Sequence, residues 1–97
     1  MLILQGVDIS RLNREIRRGL QIVAKIFKGN DQELVVTSTY EGLHGAGSLH
    51  YGNDAFDCRK PINFLLTILV EVSRELGPDY DVVDEEDHIH VEYDPRK

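Results

Sequence analysis

The chain has 97 residues, with 17 acidic and 11 basic side chains, a formal net charge of -6, and 41% apolar and 29% charged residues. This length holds one domain and excludes a second with its own core, and the composition excludes a disordered chain. Lysine and arginine are scattered apart from the stretch Arg11 to Arg18, so the charge balance speaks against a nucleic-acid partner.

Met1 to Leu4 is apolar, but it follows no basic segment and stops at Gln5, unlike a secretory signal. From Ile9, apolar residues recur at Leu12, Ile16, Leu20, Val23 and Phe27, which predicts a helix over about 9–28, capped by Asp8 or Ser10 and ended by Gly29-Asn30. Arg11, Arg14, Arg17 and Arg18 then fall mostly on its solvated faces. Glu33 to Ser38, with Val35-Val36-Thr37, reads as a short strand. Thr39 to Tyr51 carries Gly42, Gly45 and Gly47 and reads as a loop.

Ala55 to Arg59 is a second strand, and Pro61 opens a second helix over about 61–76, stopped by Gly77-Pro78. The first half of that helix is apolar on more than one side, which predicts a central position. Its longest apolar stretch, Ile62 to Val70, is far below the ~20 residues of a membrane span, so no membrane insertion is expected. Tyr80 to Val83 and His88 to Tyr93 are strands joined by the acidic turn Asp84 to Asp87; alternation puts His88, His90 and Glu92 on one face and Ile89, Val91 and Tyr93 on the other. The expected fold class is α+β, a single domain over 1–97 with two helices and a small, largely antiparallel sheet of four strands. Cys58, the single cysteine, cannot close an internal disulfide, and beside Asp57 it should face the core with Phe56.

Zinc favours four tetrahedral positions, and a catalytic site leaves one of them for water. His50, Asp57 and His90 supply two imidazoles and one carboxylate, which converge if the strand of Asp57 pairs beside that of His90. A water on such an ion needs a proton acceptor. Asp87, three positions before His90, is best placed, with Asp84, Glu85 and Glu86 as competitors; repulsion within the acidic run is expected to raise the proton affinity of a member.

The stretch Ser48-Leu49-His50-Tyr51-Gly52-Asn53-Asp54-Ala55-Phe56-Asp57, followed by Asp87-His88-Ile89-His90, resembles the zinc site of the D-Ala-D-Ala carboxypeptidase and Hedgehog signalling-domain superfamily. The resemblance spans about Val35 to Tyr93, and its Ser-Leu-His-Tyr and His-Ile-His segments are most like the Hedgehog branch. It implies zinc as cofactor, His50, Asp57 and His90 as ligands, and Asp87 as catalytic acid/base. It also implies a role for His88 or His44 in stabilising the tetrahedral intermediate, and for Ser48 in bracing the loop.

Two positions depart from the family pattern. Asn53 stands where the family has glycine, and asparagine tolerates the left-handed backbone such a turn needs. Glu41 follows Thr37-Ser38-Thr39-Tyr40 where carboxypeptidases of the family carry an arginine for the substrate carboxylate, which speaks against a free C-terminal D-Ala as substrate; Arg59 is a candidate substitute. The expected function is a zinc metallopeptidase that uses zinc-activated water and an acidic general base on an amide of peptidoglycan stem peptides or a similar short peptide. The alternative is a non-enzymatic, zinc-containing binding or phage accessory module of the same fold. Without a signal, the chain is expected in the cytoplasm as synthesised, with a holin or another route needed to reach a cell wall.

Overall fold

The computed structural model describes residues 1–39 and 52–95. Among the described residues, five strands form one sheet: β1 (Leu2–Ile3), β2 (Val35–Ser38), β3 (Ala55–Cys58), β4 (Tyr80–Asp84) and β5 (Ile89–Tyr93), in the spatial order β1-β2-β3-β5-β4. Two helices, α1 (Arg14–Gly29) and α2 (Leu65–Leu76), pack on each other; α1 also lies against β3 and β5, and α2 against β4. The class is α+β as expected, but the sheet is mixed: β1 runs parallel to β2, while the β2–β3, β3–β5 and β4–β5 ladders are antiparallel.

The parallel pair is a consequence of α1. A helix that returns the chain to the same edge of a sheet delivers the next strand parallel to the one it left. Two residues of β1 are too few to show a period, so this strand left no pattern in the sequence.

The core is the one the helical spacing predicts. Ile16, Leu20, Val23 and Phe27 of α1 are buried against Val36, Phe56, Cys58, Ile89 and Val91 of the sheet and Ile68, Val72 and Leu76 of α2. Gly19 lets this layer close, because a β-carbon there would meet the Tyr80 ring at 3.0 Å. Tyr80 in turn donates its hydroxyl to the Glu15 carbonyl at 2.6 Å. The arginines at 11, 14, 17 and 18 are exposed, as a solvated helix face requires.

Both helices begin later than periodicity alone suggests. Before α1, the Asp8 carboxylate accepts from the Ser10 N–H at 2.8 Å and closes a local turn instead of capping the helix. Asn13 stands at the N-cap, and its side chain reaches across to 52–54, donating to the Gly52 carbonyl at 3.0 Å and to Asp54 at 2.7 Å. Before α2, Phe64 adopts a left-handed backbone with φ 64°, which breaks helical continuity with Pro61. The Gln32 side chain holds that turn by accepting from the Ile62 and Asn63 N–H groups at 3.0 and 3.3 Å.

The expected central position of α2 is wrong for its first half. Leu66 and Val70 are 77% and 60% exposed, and Ile62 just before the helix is 92% exposed. Only Ile68, Val72 and Leu76 of this helix are buried, since a single sheet face and one neighbouring helix cover only one side of it.

Phe27 is 1% exposed and remote in sequence from every candidate site residue. Phe27→Ala is expected to destabilise the fold by about 3 to 5 kcal/mol in urea denaturation, through lost burial and the cavity left behind.

Candidate metal centre

With the helices on one face of the sheet, strand alternation sends every second side chain to the other. In β3, Phe56 and Cys58 join the core and Asp57 takes the opposite face; in β5, Ile89 and Val91 join the core and His90 and Glu92 take the opposite face. The register places Asp57 directly across from His90. A bulge in β2 brings Ser38 opposite Asp57 from the other side, the kind of irregularity that re-aims residues near a site.

His90 lies between two carboxylates. Its Nδ1 is 2.9 Å from Asp57 Oδ1 and its Nε2 is 2.6 Å from Glu92 Oε1. A carboxylate oxygen only accepts, and a neutral imidazole has only one N–H to give. With both carboxylates ionised, both contacts are satisfied when each ring nitrogen carries a proton, or when one carries a proton and the other a metal ion. Burial works to lower the His90 pKa, but the hydrogen bonds it donates to Asp57 and Glu92 and their charges outweigh it and hold the group above the usual histidine range.

The spacing of the Asp57 and His90 donor atoms is near that of two ligands on one zinc ion. Two ligand atoms at about 2.0 Å from a tetrahedral ion lie roughly 3.3 Å apart, so an opening of a few tenths of an ångström over the observed 2.9 Å makes room for the ion in place of the shared proton. Both side chains are only 13% and 16% exposed, which limits competition from water. The turn ahead of β3 also has the form the family pattern requires: Asn53 has φ 62°, the left-handed backbone that glycine would supply, and its carbonyl accepts from the Asn13 N–H at 2.9 Å.

The third expected ligand, His50, lies outside the described residues, as do His44, Ser48, Tyr40, Glu41 and Tyr51. His88 is on the same side as His90, with Nε2 at 3.8 Å from Asp57 Oδ1, while its Nδ1–H donates to Asp87 at 2.6 Å. Asp87 thus connects to Asp57 through His88, and its own side chain is 88% exposed. The expectation of a raised proton affinity does not hold for Asp87. The His88 hydrogen bond holds its carboxyl below the ordinary aspartate range, since a donor on the charged form counts for more than repulsion along a solvated turn. Asp84, one of its competitors, is paired with Lys60 at 2.9 Å. Arg59 is exposed.

Glu92 was visible in the sequence only as a polar residue sharing a face with His90; its contact with the Nε2 edge depends on rotamers that alternation does not specify. Glu92 also borders Asp81 and Asp94, with one carboxylate oxygen of each of the three within 4.8 Å of the others. Cys58 is fully buried on the core side, where burial first and the Asp57 charge second push its thiol up to about 12.

Two solution measurements follow. In metal-free protein, a raised His90 pKa contributes stability that is complete below the unfolded value near 6.5 and is lost as pH climbs through the folded value. The melting temperature of chelator-treated protein is therefore expected to fall as pH rises above the unfolded value near 6.5, and His90→Gln is expected to remove that part of the slope. Cys58 is expected to resist alkylation at pH 8 in folded protein and to react promptly once urea unfolds it, as a thiol-labelling time course reads.

Among the described residues, no helix is long and apolar enough to cross a membrane. Comparison of the chain with protein-family models, with curated proteins and with solved structures finds no match to any of them.

Proposed function

We propose that the chain is a zinc-dependent peptidase that hydrolyses an amide bond in peptidoglycan stem peptides or a similar short peptide. The observation that carries this reading is the meeting of Asp57 and His90 at 2.9 Å on the face of the sheet opposite α1 and α2, since these are two of the three ligands implied by the resemblance to the D-Ala-D-Ala carboxypeptidase and Hedgehog superfamily. His50 completes the proposed set.

Zinc held there would act as a Lewis acid toward the scissile carbonyl and lower the pKa of water in its open position. The chain's own part is proton handling and charge. Asp87, held as a carboxylate at neutral pH by the His88 hydrogen bond, accepts a proton from the attacking water and passes it to the departing amine. His88 gives Nδ1–H to Asp87, and its other nitrogen lies on the side of Asp57, from where it faces the oxygen on which charge develops. His44 is the other proposed donor to that oxygen. Glu41, in place of an arginine, favours an amide within a peptide over one beside a free C-terminal carboxylate.

A second reading, a zinc-holding module that binds a partner without cleaving it, draws on the exposure of Asp87, whose side chain is 88% open to solvent. Purified protein loaded with zinc and incubated with a panel of muropeptides separates the two. Hydrolysis is expected, together with a loss of about 100-fold or more in Asp87→Asn at unchanged zinc content. Hydrolysis that survives this substitution removes Asp87 from the role, and no hydrolysis in the parent protein selects the binding module.

Because a proton competes with the metal for the imidazoles, bound zinc is expected to fall as pH drops below about 6, by metal analysis after buffer exchange. Full occupancy near pH 4 would contradict the ligand set.

A further inference from the structure

We infer that Glu92 is the positioning residue of the metal centre, the group that decides which nitrogen of His90 faces the ion. The inference rests on the zinc reading above and deepens it. His90 Nε2 sits 2.6 Å from Glu92 Oε1, in a pair whose side chains are only 16% and 21% exposed. A carboxylate in that position keeps a proton on Nε2, because it can only accept. The lone pair left on the ring is then on Nδ1, the nitrogen that faces Asp57 Oδ1 at 2.9 Å. Carboxylates that accept from the far nitrogen of a ligating histidine fix its tautomer and ring orientation and raise its basicity.

The backbone makes this contact cheap. His90 and Glu92 are two apart in β5, so both leave the strand on the same face and their side chains stand next to each other. On the far side, Glu92 is opposite Asp81 in β4. This neighbourhood defines the rival assignment, in which Glu92 serves a separate cation together with Asp81 and Asp94. The two assignments differ in what Asp81 does: a partner of His90 acts whether or not Asp81 keeps its charge, whereas a member of an acidic cage depends on it.

The test is zinc affinity, measured by competition with a chromophoric chelator, in the full-length protein and in Glu92→Ala, Glu92→Gln and Asp81→Asn. Loss of the carboxylate in Glu92→Ala is expected to weaken zinc binding about 10- to 100-fold. Glu92→Gln keeps an oxygen that accepts from Nε2–H and is expected to recover most of that loss, which a generally damaged fold would not do. Asp81→Asn is expected to stay close to the parent protein, with one zinc per chain in both.

Long-range proton–nitrogen NMR of the zinc-loaded protein supplies a readout independent of affinity. It is expected to show the His90 proton on Nε2 and the metal on Nδ1. Metal on Nε2, or equal zinc affinity in the parent and Glu92→Ala, would overturn the role of Glu92 and leave the zinc site standing. Weakening in Asp81→Asn to match Glu92→Ala would transfer Glu92 to the acidic cage. A parent protein that binds no zinc would remove both this role and the peptidase reading.

Discussion

The structure turns on one imidazole held between two carboxylates. Asp57 reaches His90 from the neighbouring strand and Glu92 reaches it from the same strand, so each ring nitrogen faces an oxygen that can only accept. Such an arrangement is stable only with positive charge supplied to the ring or beside it. In the metal-free chain the two contacts favour a second proton on His90, which would supply it. A divalent ion between Asp57 and His90 would supply it without that proton, which is why the same contacts favour protonation in one state and metal in the other.

The rest of the fold keeps these groups in register. Asp57 and His90 alternate with Phe56, Cys58, Ile89 and Val91, all buried beneath the helices. A slip of one residue between β3 and β5 would move the ionisable side chains into the core and the apolar ones to the outer face, so the hydrophobic layer on one side fixes the donor atoms on the other. Asn13 adds a fastening at the start of β3: its side chain and backbone hold residues 52–54 to the head of α1, so the turn that aims Asp57 is tied to the helix most deeply embedded in the core.

Most of this was legible as spacing. Period-two alternation put His90 and Asp57 on outward faces, and the three-and-four spacing of Ile16, Leu20, Val23 and Phe27 marked the buried side of α1. What escaped was set by individual hydrogen bonds and by layer count. Ile9 and Leu12 continue the helical spacing, yet the Asp8 turn and the diversion of Asn13 toward residues 52–54 delay the helix until Arg14. Leu66 and Val70 look internal by composition, but among the described residues nothing beyond α2 covers them. Asp87 was expected to be more basic than usual from its acidic neighbours in sequence, and a single short contact with His88 reverses the direction.

That reversal bears on how the centre would divide its labour. A run of four acids in water repels weakly, because solvent screens charges that all point outward. A hydrogen bond at 2.6 Å acts on one carboxylate alone. Asp87 is therefore distinguished from Asp84, Glu85 and Glu86 by its partner and not by its position in the run. The partner also gives it a path inward, since His88 approaches Asp57 at 3.8 Å with the nitrogen that Asp87 does not use. Two histidines two residues apart thus have different companions: His90 is flanked by carboxylates at both nitrogens, and His88 has a carboxylate close at one nitrogen only.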